Sequence, residues 1–217
     1  MVDEQSQGSQ DASKANDESS NTDKSMPKVT GFDKLLKLTL AHFIVGISVL
    51  TLWAAADSWY LLTNLTIASF LSVATALVAG VVVSTIIHEW FHFAGAIFSG
   101  ASYSIPNKLG LFVFDFDFEK SSVTQFLAMS VGGQLGGVLA VLFLFVSLPM
   151  DNPGRIMLLS SAVGSAIFAG LIEWPVILRT RKSQQSQVEL GKIDKTTLYR
   201  GLSAGIVSAG LIWLAAT

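Results

Sequence analysis

The sequence predicts an all-α integral membrane protein of about five transmembrane helices, with a membrane-associated β-hairpin between the second and third. Three observations predict this class. Apolar residues make up 51% of the 217 residues and charged residues only 14%, whereas soluble domains have about 25% charged residues. Beyond Leu35 the apolar residues form runs long enough to cross a hydrocarbon core of about 30 Å. One segment between two runs alternates with period two instead.

The first 33 residues form a polar segment that we expect to be a disordered tail. It is rich in Ser, Asp, Asn and Gln, and its one aromatic residue is Phe32. Such a composition cannot bury enough apolar surface to offset the entropy of ordering the chain. Its acidic start is unlike that of a cleaved signal peptide. We therefore divide the chain into a tail, 1–33, and a transmembrane domain, 34–217.

The remaining chain contains five apolar segments, at about 35–56, 67–98, 123–148, 156–178 and 199–216. The second is longer than a bilayer requires, because a helix of that length extends nearly 50 Å at about 1.5 Å per residue. We expect this helix to tilt, to kink near Gly80, or to protrude from the membrane.

The distribution of basic residues predicts the orientation. If the N-terminus is cytoplasmic, 13 of the chain's 14 Lys and Arg residues lie on the cytoplasmic side, and Arg155 alone lies outside. Such a bias is typical of cytoplasmic loops. The net charge of −2 and the lack of a basic, aromatic-rich patch exclude a nucleic-acid partner. The expected partners are the lipid bilayer and a membrane-protein or peptide substrate.

The segment 102–119 links the second and third apolar runs. Its aromatic residues Phe112, Phe114, Phe116 and Phe118 alternate with Leu111, Val113, Asp115, Asp117 and Glu119, after a turn-like stretch at 106–110. Alternation of this kind predicts strands. We expect a β-hairpin at the membrane surface, with its aromatic face towards lipid or the helices and its acidic face in water. A plain loop with chance alternation is the alternative.

Residues 88–92, His-Glu-Trp-Phe-His, form an HExxH sequence. Histidines four residues apart lie on one helix face, where both imidazoles can reach a single zinc ion. Glu89 then flanks the metal and can accept a proton from water. Chance placement of HExxH here is on the order of one in a thousand. The alternative is a pair of histidines satisfied by hydrogen bonds between helices. The chain has no cysteine, so thiolate ligands are excluded.

Catalytic zinc sites use three protein ligands. Within the apolar segments, Glu173 and His42 are the remaining candidates. Counting residues from the segment ends places Glu173 at the depth of the HExxH sequence, so we predict Glu173 as the third ligand. The alternative is a carboxylate that reaches towards Arg179 and Arg181. We expect His42 to lie at the membrane interface.

Residues 132–137, Gly-Gly-Gln-Leu-Gly-Gly, contain two overlapping GxxxG patterns. Small residues at this spacing allow helices to approach closely in lipid. Gln134 is the polar exception, and its amide needs a partner. We consider two roles for it, contact with a substrate and a hydrogen bond between helices.

Taken in order, these elements resemble the site-2 protease family of intramembrane zinc metalloproteases over about residues 67–178. That family has an HExxH helix, a membrane-associated hairpin, a helix of small residues and a helix with an acidic third ligand. The chain differs from the family in lacking Pro and Asn beside Gln134, in carrying Glu173 in place of an aspartate, and in leaving no room for a PDZ insertion.

The resemblance implies a zinc metalloendopeptidase that cleaves membrane proteins, with His88, His92 and Glu173 as zinc ligands and Glu89 as catalytic base. Two other functions remain possible from the residues. A metal carrier or sensor would use the same cluster, but it should also have polar ligands along a path, and we expect none at the outer helix ends. An inactive membrane scaffold would have no use for Glu89.

Overall fold

The computed structural model describes residues 31–217, so the expected tail lies outside it except for its last three positions, which form the first turn of a helix. The elements are α1 (Gly31–Thr63), α2 (Thr66–Phe98), β1 (Tyr103–Ser104), β2 (Asp115–Phe116), α3 (Val123–Ser147), α4 (Pro153–Ser183), α5 (Ser186–Leu190) and α6 (Lys195–Ala216).

Five of these helices, α1, α2, α3, α4 and α6, are long and apolar enough to cross a membrane. This confirms the number of predicted apolar helices, and each covers its predicted segment to within a few residues at most ends. Many large apolar side chains on their outer faces are exposed, such as Phe43, Phe70 and Phe143. A surface of this kind is costly in water and suits contact with lipid.

Helix α2 is the centre of the bundle and packs against α1, α3 and α4, whereas α6 packs against α4. Small residues form these contacts. Gly80 of α2 lies against the backbone of Leu158 and the side chain of Ser161, and the side chains of Ala76 and Ala79 are fully buried. The helix is continuous through Gly80, so the position serves the close approach of α2 to α4.

The predicted hairpin is present in a reduced form. Strands β1 and β2 pair antiparallel over two residues each, with Tyr103 opposite Phe116 and Ser104 opposite Asp115. The predicted division into two faces is only partly right, because Val113, placed with the acidic residues, is fully buried beside Leu38 and Phe93. Val113 and Phe114, which alternation assigns to opposite faces, both pack into this cluster, whereas Phe112 is 66% exposed.

A buried polar network lies at the end of the bundle away from the HExxH sequence. The Asp57 carboxylate accepts a hydrogen bond from Ser72 Oγ at 3.0 Å and pairs with Arg155 Nε at 3.0 Å. Arg155 also pairs with Asp151, and the Asn152 side chain caps the first turn of α4. The expectation of apolar helix ends on this side was therefore wrong. Arg155 offsets the charge of the buried Asp57 carboxylate, and the network joins α1, α2 and α4.

Candidate metal centre

Three side chains from two helices meet at the HExxH sequence. His88 Nε2 lies 2.9 Å from Glu173 Oε1 and 2.9 Å from His92 Nε2, and His92 Nε2 lies 3.3 Å from Glu173 Oε1. The two imidazoles come from one face of α2, as the four-residue spacing predicts. Glu173 comes from α4 at the same depth. The structure thus brings together the three predicted ligands, 85 residues apart for His88 and Glu173.

This donor set fits a zinc ion. All three ligand atoms lie within 4.8 Å of one another. In a tetrahedral zinc site with bonds of about 2.0–2.2 Å, neighbouring ligand atoms lie roughly 3.4 Å apart. The three observed separations need only a small expansion to reach that value. The site is also shielded, since the side chains of His88 and His92 are 9% and 13% exposed.

Helix α3 orients the second histidine. His92 Nδ1 donates a hydrogen bond to the carbonyl oxygen of Met129 at 2.9 Å. Because Nδ1 carries the proton, Nε2 keeps its lone pair and faces the cluster, which is the tautomer that a metal requires. Gly133 leaves space for the ring, since a Cβ at that position would overlap the His92 imidazole.

Gln134 is also part of this cluster. Its Nε2 donates to Glu173 Oε2 at 2.7 Å. Of the two roles considered from the sequence, this contact is the hydrogen bond between helices. Contact of Gln134 with a substrate stays a prediction.

Glu89 lies beside the three ligands and borders two cavities. Within residues 31–217 its carboxylate has no hydrogen-bond partner, in contrast to Glu173. The larger cavity, of about 370 Å³, also borders His92 and Glu173, and its walls include the side chains of Phe112, Phe114, Phe116, Phe118 and Phe126. The smaller, of about 190 Å³, borders His88 and Glu173 and is also lined by residues of α2, α3 and α4 and by Leu111 and Phe112.

His42 is buried by protein, and its ring joins three segments. Its expected place at the membrane interface stays a prediction. Trp90 Nε1 donates to His42 Nδ1 at 3.1 Å, and His42 Nε2 donates to the carbonyl oxygen of Gly110 at 2.9 Å. The histidine therefore links the segment that follows β1 to α1 and α2, and neither of its nitrogens faces the cluster of His88, His92 and Glu173.

The acidic residues of the segment 102–119 lie outside the cluster of His88, His92 and Glu173. Asp117 caps a turn, and hydrogen bonds from the Lys120 backbone and ammonium group hold the pKa of Asp117 below its usual value. Asp115 forms part of β2, on the wall of the larger cavity. Arg179, which Glu173 could have approached, instead pairs with Glu189 at 3.0 Å. Among residues 31–217, the only group of three side chains able to hold a metal is His88, His92 and Glu173.

Sequence reasoning missed three contacts of the site. The Met129 carbonyl gives no side-chain signal, and the partner of Gln134 depends on how α3 lies against α4. The His42–Trp90 bond had a partial signal, since a second buried histidine near the HExxH sequence needs partners of its own. Comparison of the chain with protein-family models, curated proteins and solved structures found no match in any of the three.

Proposed function

We propose that this protein is an intramembrane zinc metalloendopeptidase that hydrolyses peptide bonds of membrane-protein substrates. The observation that carries the proposal is the meeting of His88, His92 and Glu173 around one point, with the unpaired Glu89 carboxylate beside them. Two histidines and a carboxylate are a ligand set of zinc peptidases. The five apolar helices support a site within the membrane, and the basic loops support a cytoplasmic N-terminus.

His88, His92 and Glu173 would hold the zinc, which when bound polarises a carbonyl group and lowers the pKa of water towards 7. Glu89 would take the proton from the attacking water and pass it to the leaving amine. Met129 O holds the tautomer of His92, and Gly133 leaves space for its ring. The buried surroundings strengthen each of these electrostatic interactions because water is largely excluded.

The larger cavity supports an extended peptide as substrate. A helix conceals its amides, so the scissile segment must unwind before cleavage. Strand β2 lies on the cavity wall through Asp115 and Phe116. An extended segment that pairs with the free edge of this strand would be held by its main chain next to Glu89. The phenylalanines of the cavity would favour a bulky apolar side chain there.

The test separates the zinc ligands from the base. His88→Ala and His92→Ala should purify without zinc and without activity on co-expressed membrane proteins. Glu89→Gln should bind zinc like the wild type and lose only cleavage, because the glutamate is not a ligand. The measurements are metal analysis of the purified proteins and immunoblots of the co-expressed substrates.

Two outcomes would overturn the proposal. Equal zinc loss in all three variants would remove the assignment of Glu89 as base. A wild-type protein that carries no zinc after purification and takes up none on titration would remove the metal centre.

A further inference from the structure

The two oxygens of the Glu173 carboxylate have different partners. Oε1 faces both imidazoles, at 2.9 Å from His88 Nε2 and 3.3 Å from His92 Nε2. Oε2 points away from them and accepts the hydrogen bond from Gln134 Nε2 at 2.7 Å. One oxygen is therefore directed at the metal position and the other is occupied by an amide.

We propose that Gln134 is a positioning residue that restricts Glu173 to one-oxygen coordination and thereby keeps a coordination position open for substrate chemistry. This inference rests on the metal centre proposed above. A carboxylate can bind a metal through one oxygen or through both. A catalytic zinc site needs three protein ligand atoms and one open position. A second oxygen from Glu173 would add a fifth ligand atom beside the three protein ligands and water, and would take the position that the substrate carbonyl would use.

The architecture of α3 places the amide at this point. Gly132 and Gly136 lie against Phe91, and Gly133 lies against the His92 ring, so α3 approaches α2 closely. Gln134 projects from the same stretch of α3 and reaches Glu173 across the contact with α4. Gly170, one turn before Glu173, lies beside this amide, and a Cβ there would be in ordinary van der Waals contact with Gln134 Oε1, at 3.5 Å.

Gln134 is well suited to this task because its amide is neutral and donates. A cationic donor such as lysine would compete with the metal for the carboxylate charge. An apolar side chain would leave Oε2 without a partner in a site where the Glu173 side chain is only 24% exposed. A buried carboxylate oxygen without a donor turns to the nearest positive charge, which in the loaded protein is the metal.

The test uses cobalt, whose visible spectrum distinguishes four-coordinate from five-coordinate sites, in the full-length protein in detergent. In Gln134→Met the side chain has nearly the same length as glutamine but no hydrogen-bond donor. We expect it to bind one cobalt ion as the wild type does, with the weaker absorption of a five-coordinate ion. We also expect cleavage to fall by about 10–100-fold, as is usual for loss of an outer-shell partner. Gln134→Asn keeps an amide on a shorter side chain and should give an intermediate spectrum.

Leu135→Ala is the matched control, since Leu135 is the next residue of α3 and its side chain is 53% exposed. It should leave the spectrum unchanged. A four-coordinate spectrum for cobalt-loaded Gln134→Met and Gln134→Asn would overturn the inference. Loss of cobalt from both variants with unchanged thermal unfolding would overturn it too, because the amide would then serve affinity. A wild-type protein that binds no metal would instead overturn the metal centre, and this inference with it.

Discussion

Gly133 of α3 faces the imidazole of His92 so closely that a Cβ at position 133 would overlap the ring. The histidine that completes HExxH therefore depends on a glycine 41 positions later in the chain. This contact explains why position 133 is a glycine: a larger residue would collide with His92, apart from any role of the stretch 132–137 in helix packing. The neighbouring Gly132 and Gly136 contact Phe91 instead.

Gly133→Ala should displace the His92 ring and weaken zinc binding by about 10–100-fold, the usual cost of losing a contact that orients a ligand. Zinc titration against a competing chelator measures the change. Gly46→Ala is the control, since nothing lies within 4 Å of a Cβ at that position of α1. Equal zinc affinity in wild type and Gly133→Ala would contradict the orienting contact.

Glu173→Gln should lower the affinity for zinc by more than the roughly 100-fold expected when a residue that only contacts a ligand is changed. The reason is that a neutral amide is a poor zinc donor. Glu173→Asp should retain part of the zinc and part of the activity, since a shorter carboxylate reaches the site after a small shift of α4. The double variant Asp115→Asn with Asp117→Asn is the control and should keep its metal. Full zinc occupancy in Glu173→Gln would place the third ligand elsewhere.

His42→Phe should loosen the segment that follows β1, because it removes the bonds to Trp90 and to the Gly110 carbonyl. Each bond contributes about 0.5–1.5 kcal/mol net, so amide exchange over residues 105–114 should rise by about tenfold or more. Trp90→Phe removes one bond and should have a smaller effect. Hydrogen exchange measured by mass spectrometry checks this.

Zinc content should stay the same in both of these variants, since neither side chain is a ligand. Phe43→Ala is a suitable control, because the Phe43 side chain lies next to His42 in sequence and is 65% exposed. Unchanged exchange in His42→Phe would show that other contacts, such as the burial of Val113, are enough to hold the segment.

Arg155→Met should lower the free energy of unfolding by about 3–5 kcal/mol, because it leaves the buried Asp57 carboxylate without its cationic partner. Asp57→Asn should cost less, because Arg155 keeps its ion pair with Asp151. The double variant should lose less than the sum of the two. Thermal unfolding in detergent compares the stability of the wild type, the two single variants and the double variant. Zinc content should not change, because Ser72, which binds Asp57, lies about 24 Å along α2 from His88 at 1.5 Å per residue. Additive losses would mean that the two charges do not interact.

The sequence by itself determined the properties that depend on near neighbours in the chain. Hydropathy over about 20 residues sets each apolar helix, and the four-residue spacing places His88 and His92 on one face whatever the rest of the chain does. The depth of Glu173 also follows from counting along its own helix. The structure confirms the five apolar helices and brings these three residues together.

Only the tertiary structure decided which group each polar atom meets. Gln134 and Glu173 are 39 residues apart, His42 and Gly110 are 68 apart, and Asp57 and Arg155 are 98 apart. Their contacts depend on the rotation and closeness of whole helices, which small residues such as Gly80 and Gly133 set by letting backbones approach. Alternation could not show that Val113 is buried, because period two separates two faces and does not reveal which residues of each face meet Leu38 and Phe93.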